Sequence, residues 1–360
     1  MRKIPITIVT GFLGVGKTTL VHQMLNNANG KRIALIVNEF GEVGVDGEII
    51  KAGCGDEECN LIELSDGCIC CTVQEEFLPA MLELIERKED IDHIVIETSG
   101  LAMPKPLLRA VNWPDLKPHI TIDSVITVVD AVGVATGEFC DRQRVQEQRL
   151  ADESLDHETS IEELFLDQLT CADLVLVSKR DLVDDAKFEE ISSFVQQKIR
   201  ANTKIIPVVN GEVSNDLLLG LDASAEDDVE NRHSIHEEHH HHDHDHGHDH
   251  EHHHHDHSHD HHHHHDHDHD DSLSTELLQY SETADIKQLV KELTQLVKEN
   301  EIYRIKGFVN IPNKPMRMIL QGVGDRFDYY FDRPWKEGET RKTHLVVIGK
   351  NLKLASTAHA

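Results

Sequence analysis

Aromatic residues are scarce in this chain, at 4 % of it, with two Trp and four Tyr among 360 residues. Any core it builds must be mainly aliphatic. Positive charge is short as well: Lys and Arg total 35 against 66 Asp and Glu, a formal net charge of −31 with His counted neutral. A protein that grips nucleic acid by its phosphates needs a basic footprint, so the balance argues against nucleic acid and suits the collection of cations. No run approaches the ~18 consecutive apolar residues of a membrane span. "MRKIPITIVT" passes from a basic start into a short β-branched run, without the apolar region and cleavage site of a secretory signal. The expectation is a cytoplasmic protein with no membrane partner. A disulfide framework is also lacking, since seven cysteines is an odd count and three crowd into four positions, Cys68, Cys70 and Cys71. That spacing suits a metal site in a reducing compartment.

What is present is enough for one large and one small domain. Apolar runs at 4–10, 32–38, 60–64, 93–98, 124–130, 173–178 and 204–209 read as strands, with helix-like stretches at 17–28, 75–89, 158–170 and 185–200. Continuous Ile/Val/Leu runs, rather than strict alternation, mark strands buried on both faces. Strands interleaved with helices predict an α/β fold, a mostly parallel, doubly wound sheet over residues 1–222. The composition then changes abruptly. Residues 239–269 hold 21 His and 8 Asp or Glu in 31 positions, relieved only by Gly247 and Ser258. With nothing apolar to bury, the segment cannot offset its ordering entropy, and 223–276 reads as a disordered His/Asp-rich linker. A smaller α+β domain is expected over 277–360. It opens on an amphipathic helix at 284–300 and continues with strand-like runs at 303–311, 317–324, 326–332 and 344–349.

"GFLGVGKT", Gly11 to Thr18, matches the phosphate-loop pattern G-x-x-x-x-G-K-[ST] between a predicted strand and a predicted helix. Gly11, Gly14 and Gly16 let backbone N–H groups curl around phosphate oxygens. Lys17 would reach the β- and γ-phosphates, and Thr18 would offer its hydroxyl to Mg²⁺. "HIVIETSG" is an apolar strand ending in Glu97, the position where a carboxylate can meet Mg²⁺ or its waters, and Gly100 follows as a flexible backbone near the γ-phosphate. "SKRD" resembles a guanine-reading N-K-x-D element, with Asp181 accepting from the base edge and Lys179 packing along the ring. Ser178 stands where Asn is usual and offers fewer donors and acceptors than an amide. That leaves the strictness of guanine selectivity open.

Cys68, Cys70 and Cys71 can supply up to three thiolates to one ion, a set suited to Zn²⁺, Cu⁺ or thiophilic Co²⁺. Cys54 and Cys59, on either side of an acidic loop, could form an auxiliary pair but read rather as a solvated surface feature, and Cys140 and Cys171 read as ordinary thiols. "NEFGEVGVDGEII" suits a switch segment whose Glu39, Glu42 and Asp46 could each contact Mg²⁺, the attacking water or a second metal.

With the phosphate loop, "NEFGE", "GCICC" and "ETSG" in order, the chain closely resembles the CobW family of P-loop GTPases, which act as metallochaperones. The resemblance extends to the His-rich linker and to "IYRIKGFVNIP…PMRMILQGVG…DRPW". It implies a GTPase that converts GTP and water to GDP and phosphate. Lys17 and Glu97 would be its catalytic residues, and Gly11, Gly14, Gly16, Lys17, Thr18, Thr19, Lys179 and Asp181 would bind the nucleotide. It further implies magnesium on Thr18 and Glu97, and a transition-metal site on Cys68, Cys70 and Cys71. The C-terminal sequence and the long His/Asp tract most resemble the branch associated with cobalt supply to cobalamin biosynthesis, with zinc as the alternative metal. The implied partner is a client metalloenzyme or metal-insertion complex, and the implied state a monomer or a dimer that depends on metal or nucleotide. Competing readings are a His-rich metal store with an idle phosphate loop, and a chelatase subunit, whose further motor motifs are not found.

Overall fold

The computed structural model describes residues 3–38, 60–64, 77–140, 142–151, 159–221, 223–232, 273–280, 283, 285–324, 326–336, 338–350 and 352. Cys54, Cys59, Cys68, Cys70, Cys71, Glu39, Glu42, Asp46 and the 239–269 tract lie outside these residues.

Seven strands form the first sheet: β1 Ile4–Thr10, β2 Ile33–Asn38, β3 Asn60–Leu64, β4 His93–Glu97, β5 Ile120–Asp130, β6 Leu174–Ser178 and β7 Lys204–Pro207. Their order is β3-β2-β4-β1-β5-β6-β7, and every pairing is parallel. Burial explains the sequence pattern, because β4 and β6 are buried at every position and β1 at all but one. One face is covered by α1 Lys17–Asn26 among others and the opposite face by α2 Leu78–Glu86 and α3 Pro104–Val111. The sheet is thus doubly wound. Short helices follow at α4 Ala131–Thr136 and α5 Arg142–Ala151, then α6 Ile161–Cys171, α7 Asp185–Gln196 and α8 Asn215–Leu218. Ser160 and Glu163 close a reciprocal capping box on α6, which fixes where that helix starts.

The second sheet is antiparallel, in the order β11-β10-β9-β12-β8. Its strands are β8 Leu273–Tyr280, β9 Ile302–Val309, β10 Met316–Val323, β11 Arg326–Pro334 and β12 Thr343–Lys350. Helix α9, Ile286–Glu299, lays Leu289, Leu293 and Val297 on one face of it, as the 3–4-residue spacing requires.

Two features depart from the sequence reading. Residues 223–232, read as the start of the linker, pack onto the first domain: Ala225 and Val229 join its core, Glu226 accepts from Ile122 N and Thr121 Oγ1, and Arg232 is fully buried against Cys171 O and Asp173. Strand β8 likewise begins at Leu273, inside the stretch assigned to linker. Acidic, small-residue composition hid both, because a few apolar anchors carry the packing.

The two domains meet through Arg304 of β9, 1 % exposed, whose guanidinium donates to the carbonyls of Asp216, Leu219 and Gly220 at the end of α8. At the other end of α8, Asn215 Nδ2 donates to Met24 O at 2.6 Å and Asn27 O at 2.8 Å, the C-terminal carbonyls of α1. The second domain is therefore tied, through one helical turn, to the helix that begins at the phosphate loop.

Close to this junction His93 is buried beside Thr7 Oγ1 at 2.8 Å and 3.8 Å from Asp123 Oδ2. Burial pushes its imidazole down to about 3, helped by the cations Lys31, Lys306 and Arg304. The fold thus holds His93 neutral, whereas the unfolded chain protonates it near ~6.5. Its contribution to stability is complete above ~6.5 and is lost as pH falls from there, with a slope of about 1.4 kcal/mol per pH unit. His93→Gln should flatten the acid limb of a urea-midpoint profile between pH ~6.5 and about 3. An unaltered limb would contradict this account.

Candidate functional site

Parallel pairing sets the site. Val9 of β1 lies opposite Glu97 of β4, so the chain leaves both strands at the same edge of the sheet, and β1 continues into the glycine loop. Between β1 and β2 the chain moves to one side, and from β5 it builds the other side, so the loop occupies the switch point where α/β sheets bind ligands.

The glycines answer to geometry. Gly11 has φ 135°, and a Cβ there would stand 2.3 Å from Val128 O. Gly14 and Gly16 also have positive φ, but a Cβ on either would meet nothing within 4 Å, so it is backbone conformation and not crowding that calls for glycine there. Gly16 starts α1 with no side-chain cap, which leaves the first-turn N–H groups to an anion. Lys17 is buried, and its Nζ donates back across the loop to Phe12 O at 3.1 Å. Thr18 Oγ1 donates to Glu97 Oε1 at 2.8 Å. A hydroxyl and a carboxylate in contact at the mouth of a phosphate loop form a hard-oxygen donor pair, which fits magnesium.

Few as the aromatics are, four of the phenylalanines gather under this loop. Phe12 stacks at 6.1 Å on Phe165, Phe165 at 4.2 Å on Phe139, and Phe139 at 6.2 Å on Phe194. In the sequence Phe12 is only an unspecified position of the loop pattern. Its burial anchors the loop in the core and limits the rearrangement needed to receive a ligand.

"SKRD" closes the other end. Lys179 adopts φ 55° and its Nζ pairs with Asp130, the residue that caps α4. A cavity of about 300 Å³ is lined by Val15, Gly16 and Thr19 of the loop and its helix, by Lys179, Asp181 and Leu182, and by Val208, Asn210 and Gly211. That is at the small end of ligand pockets, roughly 300–1,000 Å³. The structure thus brings Gly16, Thr19, Lys179 and Asp181 to one cavity, and sets Thr18 against Glu97 at the loop. The Asn210–Gly211 wall was missed, although an Asn-Gly pair just beyond a strand is a turn signal. Gly211 is needed there, since at φ 72° a Cβ would lie 3.2 Å from the backbone of Thr19 and Leu20.

Ser178 has a structural explanation. Its Oγ lies 2.6 Å from Val15 O and 3.1 Å from Val129 O. One hydroxyl proton cannot serve both, and the shorter contact ties the end of β6 to the phosphate loop. A larger cavity, about 450 Å³, opens at the opposite edge of the sheet between the domains. Its Arg200 is already held by Asp173 and Asp228. Of the thiols among the described residues, Cys171 is buried and its pKa is pushed up to about 12, so it remains a thiol and a poor metal ligand. No group of three His, Cys, Asp or Glu able to hold a metal occurs among the described residues, and no helix there is long and apolar enough to cross a membrane.

A parallel sheet with this order, a positive-φ glycine loop opening a helix, and an acidic strand end beside it define a P-loop nucleotide-binding protein. Residues 5–207 match the CobW/HypB/UreG nucleotide-binding domain, and residues 277–359 the cobalamin synthesis protein cobW C-terminal domain. The chain belongs to the CobW/HypB/UreG family. It is 46 % identical over 351 residues to the zinc chaperone CobW of a Sinorhizobium species, covering 96 % of this chain and 93 % of that protein. Identity to the zinc chaperone CobW of Pseudomonas aeruginosa is 47 % over 365 residues, covering 100 % and 91 %. Among solved structures, Zn(II)-bound YjiA GTPase from E. coli is similar at 24 % identity and a TM-score of 0.42, covering 98 % and 96 %.

Removing the Ser178 hydroxyl should loosen the loop and leave Val15 O without that donor, at a cost of about 1–2 kcal/mol. Ser178→Ala should therefore weaken GTP and GDP binding alike, by about tenfold, in a fluorescent-nucleotide titration. Unchanged affinities would show that the tie has no bearing on the site.

Proposed function

We propose that this protein is a GTP-hydrolysing metallochaperone that carries zinc on Cys68, Cys70 and Cys71 and releases it to a client metalloprotein when GTP is hydrolysed. The observation that carries the nucleotide half is the 2.8 Å contact between Thr18 and Glu97 at the glycine loop. The backbone amides beside Gly14 and Gly16 would take the phosphate oxygens, and Lys17 would turn from Phe12 O to the β- and γ-phosphates. Thr18 and Glu97 would hold Mg²⁺, which supplies charge neutralisation on those phosphates when bound. Lys179 and Asp181 would frame the base. In the reaction a water oxygen would bond to the γ-phosphorus as the bond to the β–γ bridging oxygen breaks, one water proton staying on the phosphate formed and the other passing to solvent, giving GDP and phosphate.

Zinc, rather than the cobalt favoured by the sequence resemblance, is supported by two considerations. Both relatives at 46 % and 47 % identity are zinc chaperones. A thiolate-rich site also binds zinc more tightly than cobalt in the usual affinity order. Strands β2 and β3 end at Asn38 and Leu64 on the edge that carries the phosphate loop. In the sequence, the segments holding Glu39, Glu42, Asp46 and the three cysteines follow on from those two strand ends. A nucleotide-dependent ordering of these segments would bring the thiolates together with GTP and loosen them with GDP.

Reciprocity then demands that zinc tighten GTP binding by the factor that GTP tightens zinc binding. Zinc competition against a chelator should give affinities that differ by about tenfold or more between a GTP analogue and GDP. Equal affinities would remove the switch. The His/Asp tract would serve as a flexible reservoir, its imidazoles with pKa ~6.5 largely neutral and free to ligate at pH 7. Deleting residues 239–269 should lower the number of zinc ions bound per chain and leave kcat for GTP intact. A collapse of hydrolysis would refute the reservoir role.

A further inference from the structure

Gln168 lies on α6, outside the nucleotide motifs, and is 1 % exposed. Helix α6 already packs through Leu164, Phe165 and Leu169. An apolar side chain of similar size would fill the position at less cost, because an amide buried away from water must find partners. It finds them in one place. Nε2 donates to Gly100 O and to Ala102 O, each at 3.2 Å. Its own backbone carbonyl accepts from Thr127 Oγ1 of β5 at 2.7 Å, so the residue is itself fixed to the sheet.

The loop it grips follows Glu97 directly. On its other side that loop bears on the phosphate loop: a Cβ at Gly100 would stand 2.7 Å from the backbone nitrogen of Leu13. Thr98 N donates to Val9 O at 3.0 Å, and Thr98 Oγ1 lies 3.1 Å from Thr10 Oγ1. Residues 98–102 are thus clamped between β1 and α6. The sequence suggested a flexible backbone at Gly100; the glycine is needed instead for close approach. We propose that Gln168 is a positioning residue for nucleotide hydrolysis, holding Gly100 to Ala102 in the one conformation that meets the γ-phosphate. This rests on the GTPase reading above. It makes Gln168 indifferent to GDP and important only when a third phosphate is present.

The test uses the full-length chain. Gln168→Met keeps the volume and removes both donors, and Gln168→Glu turns a carboxylate toward two carbonyls. In each, kcat for GTP should fall by about tenfold or more, GDP affinity should stay within about twofold, and the preference for a GTP analogue over GDP should shrink. Unchanged kcat would overturn the proposal. So would parallel losses of GDP and analogue affinity, which mark a merely structural residue. If neither variant folds, hydrogen exchange on the unaltered protein decides: amides 99–102 should gain protection with the GTP analogue and not with GDP, and equal protection would overturn the assignment. Absence of any hydrolysis by the unaltered chain would defeat the GTPase reading together with this one, whereas hydrolysis that the variants leave intact defeats this one alone.

Discussion

The pairing of β1 with β4 is the constraint on which the rest depends. In a parallel sheet, neighbouring strands end at the same edge, so a loop that leaves β1 and a carboxylate that ends β4 must meet if their register agrees. Val9 opposite Glu97 supplies that register, and the Thr18–Glu97 contact follows from it. Everything around this point holds it in place. Phe12 roots the glycine loop in a phenylalanine stack, Ser178 ties β6 to Val15, and Thr98 is bonded to β1. A site whose parts are fixed before ligand arrives avoids the cost of ordering them on binding.

The same logic extends to the second domain. Arg304 occupies the carbonyls at the end of α8, and Asn215 at its start occupies those at the end of α1. Burying a guanidinium is costly unless its donors are satisfied, so the two domains cannot separate at this point without exposing carbonyls and stranding a cation together. The phosphate-loop helix, the turn of α8 and strand β9 therefore form one connected unit.

Much of this was legible in the sequence, for identifiable reasons. Strands buried on both faces write themselves as unbroken aliphatic runs, which is why β1, β4 and β6 were read nearly to the residue. The phosphate loop was legible because Gly11, Gly14 and Gly16 satisfy backbone requirements that other residues meet poorly. Contacts between distant segments were not. Gln168 is one polar residue in an ordinary amphipathic helix, and only the fold brings it to Gly100. Ser178 looked like a weakened base reader because its partner, Val15 O, is far away in sequence. Helix α4 escaped notice because "AVGVAT" is too short to show periodicity, although Asp130 caps it. Strand β8 was lost beside the acidic tract, since its pairing with β12 gives it an identity that its composition does not.

In the function proposed above, phosphate chemistry and metal release are one event. The most direct measurement is a single turnover with zinc-loaded protein and Mg²⁺·GTP, following phosphate release and zinc capture by a chelator in the same sample. Zinc should leave at the rate of hydrolysis and be retained when a non-hydrolysable analogue replaces GTP. Zinc leaving at one rate with either nucleotide would contradict it.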